Sequence, residues 1–378
     1  MSVLGHHSTV SPPVVIHKKE TPMNTVSRFA RIAGFGMLIA SACVFSRAAD
    51  WFPLKVRSTA SDGKATLVDY SPLAHATKDW KICVSFPHMN DPFFLAADYG
   101  IVEQAKQEGV RVQVLDAGGY TKLATQISQI EDCVAGGAQA VVMVAIAQDG
   151  MNNLLALLKQ KNIPVIDSVN GVSSKDVSAR VLTIPHDEAM RAGEYLAQKY
   201  PAGGKPAKIA WLPGPAGAGF VNAFNAGFNQ GIKGSAVQIV ETKYGDVDKD
   251  VQARLVEDLL ETHPDLNYIV GTAVMVEAAV PILRARNLQD KVKLVSVYTT
   301  PGTYEELRNK QIEAAGATPV VLLGRVMLDT AVRSLEDKIV YRDVGLNGKT
   351  YTPATFETLP RSVVLAPPSF RPVFSVGK

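Results

Sequence analysis

The sequence has few cysteines and no spacing typical of a metal or catalytic site. Its three cysteines include Cys83 and Cys133, which stand far apart in the chain. Histidines such as His88, His186 and His263 are scattered, without the short spacings that bind metals. No Ser/His/Asp or Cys/His arrangement occurs in a recognisable context. These absences argue against an enzyme, and they predict that the chain holds no metal or cofactor.

Long apolar runs and an excess of one charge are also missing beyond residue 49. No later stretch reaches the roughly 18 consecutive apolar residues that a membrane span needs. Five of the 39 Lys and Arg residues precede residue 50, against one of the 36 Asp and Glu residues, so the rest has a formal charge of −1. That balance argues against nucleic acid as a partner, and we expect no membrane insertion once the leader is removed.

Residues 1–49 have the pattern of a leader. From Met23, a candidate start, basic residues precede an apolar run that is followed by small residues. This pattern is typical of a secretory signal peptide, here with cleavage after Ala48 or Ala49. The alternative is a lipoprotein cleavage box at residues 40–43, which lacks the usual leucine.

Export bears directly on the two cysteines that follow the leader. In an oxidising compartment, Cys83 and Cys133 are expected to form one disulfide. The alternative is two independent buried thiols. In a doubly wound domain, the start of the first strand and the end of the second helix lie at the same edge, away from the ligand.

Apolar segments of strand length and helix length alternate from residue 81 onwards. The run Ile82–Phe86 suits a buried strand, and residues 122–135 carry apolar side chains at helical spacing. This alternation predicts an α/β fold with a parallel, doubly wound sheet. The pattern restarts at Lys208, so we expect two Rossmann-like lobes with a ligand cleft between them.

The same alternation predicts the domain boundaries. The segments are a leader (1–49), an N-terminal extended lead-in (50–80), a first lobe (81–184 plus about 317–340) and a second lobe (185–316 plus about 341–378). The chain is expected to cross between lobes near residues 184–186 and again near 317–319. Each crossing contains a proline, which fixes φ at one residue and concentrates bending in its neighbours.

The turn after the first strand is the strongest candidate for a binding loop. It contains Asn90 and Asp91, and the helix that follows opens with Phe93 and Phe94. In open α/β sheets, the loop after such a strand is where ligands bind. Two adjacent rings and a carboxylate are an unusual load for a solvent-facing turn. The alternative is that the rings simply pack the first turn of the helix.

Two other motifs are weaker. The turn 214–219 follows a strand, but its spacing is G-x-x-G-x-G and Pro215 lacks an N–H donor, so it is not typical of nucleotide binding. We expect a cleft-facing turn with backbone N–H groups near the ligand.

The carboxylates of residues 246–257 match part of a calcium loop, but Val251 occupies the position that requires glycine. Their place just ahead of a helix favours interaction with its dipole.

Two Rossmann-like lobes behind a signal peptide resemble the type I periplasmic binding proteins, along almost the whole mature chain. The turn Asn90–Phe94 is similar to the "NPFF" turn of the ribose-binding branch. The runs Leu115–Tyr120 and Phe370–Val373 resemble the branch that senses trimethylamine N-oxide (TMAO). Both cysteines also fall where that branch has them.

The resemblance implies a non-enzymatic periplasmic sensor. It would bind TMAO in the cleft and engage the periplasmic region of a membrane histidine kinase that controls TMAO reductase. That branch usually carries a tyrosine-tryptophan pair where this chain has Phe93 and Phe94, a departure that concerns the ligand more than the fold. The alternative with the same fold is the substrate-binding subunit of a sugar-type ABC transporter, which hands its ligand to a permease.

TMAO carries three methyl groups on a cationic nitrogen and one anionic oxygen. Aromatic faces attract such a cation, and amide or hydroxyl donors would serve the oxygen. A sugar would call for ring stacking together with Asp, Asn and Arg groups. The candidate ligand-binding residues are Phe86, Asp91, Phe93, Phe94, Gln148, Asn170, Tyr244, Thr272 and Tyr298.

Overall fold

The computed structural model describes residues 51–377, so the predicted leader lies outside the described residues. The strands are β1 (Leu54–Thr59), β2 (Ala65–Tyr70), β3 (Lys81–Phe86), β4 (Arg111–Asp116), β5 (Ala140–Met143), β6 (Val165–Val169), β7 (Ala179–Leu182), β8 (Ala207–Gly214), β9 (Val237–Tyr244), β10 (Tyr268–Gly271), β11 (Lys293–Ser296), β12 (Ala314–Ala317), β13 (Asp343–Gly345), β14 (Lys349–Tyr351) and β15 (Ser375–Val376). The helices are α1 (Pro92–Glu108), α2 (Leu123–Ala135), α3 (Asn152–Gln160), α4 (Pro185–Lys199), α5 (Gly219–Gly231), α6 (Lys249–Thr262), α7 (Ala273–Ala285), α8 (Pro301–Arg308), α9 (Val320–Leu335) and α10 (Arg361–Val364).

These strands form one sheet in each lobe, and the two-lobe α/β fold predicted from the sequence is confirmed. In the first lobe the order within the described residues is β15-β4-β3-β5-β6-β7-β13-β1-β2, and in the second it is β14-β12-β11-β10-β8-β9. Neighbours from β4 to β13 and from β12 to β9 run parallel, while β15, β1, β2 and β14 add antiparallel edges. Parallel strands bring their carboxyl ends to one edge of each sheet, where ligands bind in such folds.

The lead-in is a β-hairpin rather than an extended strand alone. Strands β1 and β2 pair with each other, and β1 continues the first sheet through β13. The hydroxyl of Tyr70 donates a hydrogen bond to the buried carboxylate of Asp329 in α9, and the backbone N–H of Leu73 donates to the same group at 2.6 Å. The hairpin is therefore fastened to the helix that follows the second crossing.

The chain passes between the lobes more often than the sequence predicted. It leaves the first sheet after β7 and returns after β12, near the two expected crossings. A third passage joins β13 in the first sheet to β14 in the second, and β15 then returns to the first. The segment 341–378, which we had expected in the second lobe, thus contributes to both sheets. Strands β13, β14 and β15 have only two or three residues each, too few to show the alternation of apolar and polar residues that predicts a strand.

Cys83 and Cys133 form a disulfide that joins β3 to the last turn of α2. Their Cα atoms are 6.5 Å apart, and both residues are buried in the core of the first lobe. Among residues 51–377, no helix combines the length and apolar character needed to cross a bilayer.

Candidate ligand-binding site

A cavity of about 40 Å³ lies where the carboxyl ends of the two sheets face each other. We call it the interlobe cavity. The residues that line it are Asp91, Phe93, Phe94, Tyr120, Val169, Asn170, Thr183, Glu188, Phe220, Phe224, Val247 and Tyr298. Those up to Asn170 belong to the first lobe, Thr183 leads into the first crossing, and the others belong to the second lobe.

Asp91 joins the two lobes through its carboxylate. One oxygen accepts the backbone N–H of Phe93 at 2.8 Å and caps α1, and the other accepts the hydroxyl of Tyr298 at 2.5 Å. Burial raises the pKa of Asp91 to about 6. The carboxylate of Glu277 contributes to this increase in pKa, whereas both hydrogen bonds oppose it. The group is therefore largely ionised above neutral pH and largely protonated at pH 5.

Aromatic rings from both lobes enclose the cavity. The ring of Phe93 meets the rings of Phe94 and Tyr298 edge to face, with centroids 5.5 and 5.6 Å apart. From the second lobe, Phe220 meets Phe224 at 5.4 Å and lies 5.9 Å from the ring of Tyr120. Edge-to-face contacts hold neighbouring rings in fixed orientations, so the cavity wall is largely preformed.

Asn170 and Tyr120 place a hydroxyl at the cavity. The amide nitrogen of Asn170 donates to the Tyr120 hydroxyl at 2.9 Å and to the carbonyl of Ala145 at 2.7 Å. The Tyr120 oxygen is thus an acceptor in this pair, which leaves its hydrogen available for another oxygen. The neighbouring Val169 has φ of 62°, a strained conformation for a β-branched residue of a kind that clusters at ligand sites.

Glu188 supplies a second buried carboxylate from the first turn of α4. It is 6% exposed, and burial raises its pKa. The hydroxyl of Thr318 donates to one of its oxygens. Among the described residues that line the cavity, none is Lys, Arg or His. The cavity therefore combines six aromatic rings and two carboxylates without a basic partner.

Further contacts close the cleft around the cavity. The backbone N–H of Tyr120 donates to Asp246 of the second lobe at 3.2 Å, and Asn222 donates to the side chain of Gln148 at 3.1 Å. A Cβ on Gly219 would lie 2.4 Å from the carbonyl oxygen of Asn170, so only glycine permits this approach. The structure is thus the closed form of the two lobes.

The structure brings together five of the nine residues that the sequence indicated. Asp91, Phe93, Phe94, Asn170 and Tyr298 all line the interlobe cavity. The other four do not line it. Phe86 is fully buried behind Phe94, Gln148 lies at the rim, Thr272 is buried and caps α7, and Tyr244 is 46% exposed.

Position within the fold explains these differences. Tyr244 ends β9, the edge strand of the second sheet, which carries its ring away from the centre of the cleft. Thr272 uses its hydroxyl on the N–H of Met275. Asp248, part of the incomplete calcium pattern, likewise caps α6 through the N–H groups of residues 250 and 251.

Sequence reasoning missed Tyr120 of the first lobe and, in the second lobe, Phe220, Phe224 and Glu188. Phe220 and Phe224 lie one helical turn apart in α5, directly after the glycine-rich turn, a spacing that could have indicated a shared face. Glu188 follows Pro185 at the start of α4, a helix we did not predict. Proline followed by acidic residues is a helix-start signal, so helix α4 could have been predicted from the sequence. The position of the Glu188 carboxylate at the cavity could not.

Comparison with known proteins agrees with this architecture. A family model described as a periplasmic binding protein domain matches residues 82–339. The chain is 34% identical over 316 residues to the periplasmic protein TorT of Escherichia coli K12, covering 83% of this chain and 90% of TorT. A solved ABC transporter solute-binding protein from Bradyrhizobium sp. BTAi1, with bound Bis-Tris, is 47% identical, with a TM-score of 0.74 over 86% of this chain and 99% of that one. TorT in complex with the TorS sensor domain in the presence of TMAO is 31% identical, with a TM-score of 0.70 over 78% and 100%. The chain therefore belongs to the periplasmic binding protein family.

Proposed function

We propose that this chain is a periplasmic sensor that binds a small methylated amine of the TMAO type in the interlobe cavity. One observation carries the proposal: the cavity is built from six aromatic rings and two carboxylates, with no basic side chain among its described lining residues. Aromatic faces contribute about 0.5–2 kcal/mol each to binding a well-placed cation. The free hydrogen of Tyr120 suits the oxide oxygen.

The size of the cavity supports a ligand smaller than a sugar. At roughly 10–15 Å³ per water, a cavity of about 40 Å³ has room for about three waters. A trimethylated nitrogen with one oxygen, about five non-hydrogen atoms, exceeds that space slightly, whereas a hexose, with about twelve, exceeds it several-fold. A sugar would have to displace some of the aromatic rings that line the cavity.

The proposal includes the partner and the compartment. TorT is named as a periplasmic protein, and its complex with the TorS sensor domain has been solved. By analogy, we propose that this chain acts in the periplasm, without catalysis, by presenting its closed form to a sensor histidine kinase. The alternative is the binding subunit of an ABC transporter, because the relative from Bradyrhizobium is described in those terms.

A titration of the mature protein tests the ligand. Calorimetry or thermal shift would be run with TMAO, trimethylammonium, tetramethylammonium, betaine, ribose and galactose. Uncharged tert-butanol serves as the control for shape. We expect methylated nitrogen compounds to bind more tightly than tert-butanol and the sugars. Binding of sugars alone would reject the methylated-amine proposal in favour of the transporter alternative.

Replacing Phe94 by leucine is expected to weaken TMAO binding about two- to thirty-fold, or about 0.5–2 kcal/mol. Leucine keeps most of the apolar volume but removes the ring face. The chain offers a matched control in Phe86→Leu, because Phe86 lies 5.4 Å behind Phe94 and does not line the cavity. Both variants should lose thermal stability, and only Phe94→Leu should lose affinity. Equal loss of affinity in both variants would show that Phe94 only packs against its neighbours and does not contact the ligand.

Affinity for tetramethylammonium is expected to fall by up to about tenfold between pH 7.5 and pH 5. A permanent cation favours the ionised carboxylate of Asp91, whose pKa in the closed protein is raised to about 6. Binding therefore lowers that pKa, and affinity rises with pH up to about 7 and then levels. Tetramethylammonium is the probe because its own charge does not change with pH.

Asp91→Asn is the matched control for this pH effect. Asparagine is also a favourable N-cap, so α1 should persist. The variant should bind weakly at every pH and show a flatter profile, with the remaining slope due to Glu188, whose pKa is also raised by burial. Wild-type affinity that stayed constant or increased towards acid would contradict a cation beside Asp91.

A further inference from the structure

Three of the four passages between the lobes meet at one residue, Thr318. Thr318 lies in the second passage, between β12 and α9, and is 2% exposed. Its hydroxyl donates to Glu188, which lies just after the first passage. A Cβ on Gly348, in the third passage, would lie 2.8 Å from the Thr318 hydroxyl oxygen. Three of the four segments that must bend when the lobes open are therefore in contact here, and only the passage from β14 to β15 lies outside this group.

Glu188 connects this meeting point to the interlobe cavity. Its carboxylate lines the cavity, yet its hydrogen-bond partner belongs to the hinge. Within residues 51–377, no group donates a hydrogen bond to its second oxygen, and no basic side chain forms an ion pair with it. Arg191 and Asp187, its charged neighbours on α4, act on it only at longer range.

A buried carboxylate without an ion pair is an unfavourable arrangement in the empty protein. Removal from water disfavours its charged form unless a proton or a cation compensates. The structure offers Glu188 a hydroxyl on the hinge side and open space on the cavity side. A positively charged ligand in the cavity would supply the missing partner.

We propose that Glu188 is the counter-ion that couples the positive charge of the ligand to closure of the hinge. The cation stabilises the ionised carboxylate, and the carboxylate holds Thr318 and, through it, these three of the four passages in the closed arrangement. A ligand shifts the equilibrium between open and closed lobes only by binding the closed state more tightly than the open one. The charge of the ligand, in addition to its shape, then contributes to that difference in affinity. This inference rests on the proposed cationic site and adds the residue that transmits its occupancy.

Glu188→Gln tests the coupling, because glutamine keeps the volume and an acceptor for Thr318 while removing the charge. Affinity for tetramethylammonium and TMAO should fall at least about tenfold, while affinity for tert-butanol should stay within about twofold. Glu194→Gln is the matched control, since Glu194 lies on the same helix but is exposed. It should bind like the wild type.

A double-mutant cycle with Thr318→Val separates coupling from structural support. Thr318 is a positioning residue, and valine keeps its shape without the hydroxyl. Alone, Thr318→Val should weaken tetramethylammonium binding about threefold or more, whereas in the Glu188→Gln background it should have little effect. Equal effects in both backgrounds would mean that Thr318 merely supports the fold, and would overturn the coupling.

The outcomes distinguish this inference from the proposed function. If methylated amines bind the wild type and Glu188→Gln equally well, the inference fails and the proposed function stands. If no TMAO-type ligand binds but the amine Bis-Tris binds and is lost in Glu188→Gln, the inference stands and the ligand proposal fails. If only ribose or galactose binds, both fail.

Discussion

Reducing the disulfide between Cys83 and Cys133 is expected to lower the free energy of unfolding by about 2–4 kcal/mol. The bond closes a loop with a sequence separation of 50 residues, so its loss lets the unfolded chain explore many more conformations. It also ties the last turn of α2 to β3, the strand that leads into the binding loop. Urea unfolding of oxidised and reduced protein measures the difference.

The double variant Cys83→Ala, Cys133→Ala is the control for this experiment. It should match the reduced wild type in stability, and both should bind ligand with nearly unchanged affinity, since neither cysteine lines the interlobe cavity. Mass spectrometry of non-reduced peptides from exported protein should find the two cysteines joined. Finding both thiols free there would reject the bond and its contribution to stability.

The fold was readable from the sequence because it depends on local periodicity. Buried strands such as β3 and amphipathic helices such as α2 each carry enough apolar residues to show their period, and regular alternation of strands and helices leaves few topologies to consider. The edges were not readable. The hairpin β1–β2 and the short strands β13 and β15 join the first sheet through tertiary pairing that no local pattern encodes.

The cavity was readable only in part, for a related reason. Asp91, Phe93 and Asn170 follow strands at the carboxyl edge of one sheet, so topology alone gathers them. Tyr298 follows β11 at the same edge of the other sheet. By contrast, the contributions of Phe220 and Glu188 depend on the angle at which the lobes close, which is set by contacts between segments distant in sequence. A position at the carboxyl end of a strand therefore indicates a candidate binding residue, and the closing of the two lobes determines which of these residues line the same cavity.

Removing one hydroxyl, by Tyr298→Phe, is expected to weaken ligand binding about 10- to 100-fold at pH 8. The Tyr298 hydroxyl donates across the cleft to Asp91 at 2.5 Å, and at that pH the carboxylate is ionised. A hydrogen bond to a charged group contributes about 1.5–3 kcal/mol, and this one exists only when the lobes are closed. Phenylalanine keeps the ring that faces Phe93, so the aromatic wall should persist.

Loss of the Tyr298 hydroxyl should change the equilibrium between open and closed lobes, and it should leave the closed structure itself unchanged. Small-angle scattering along a TMAO titration should give the same radius of gyration at saturation for Tyr298→Phe and wild type, with the variant's midpoint shifted to at least about tenfold higher ligand. Tyr200→Phe is the matched control, because the Tyr200 hydroxyl contacts Tyr268 within the second lobe, and its midpoint should not move. Equal midpoints for wild type and Tyr298→Phe would show that the bond to Asp91 does not bias closure. A radius that never changes, with binding established separately, would argue against lobe closure as the signal and for a local change at the protein surface.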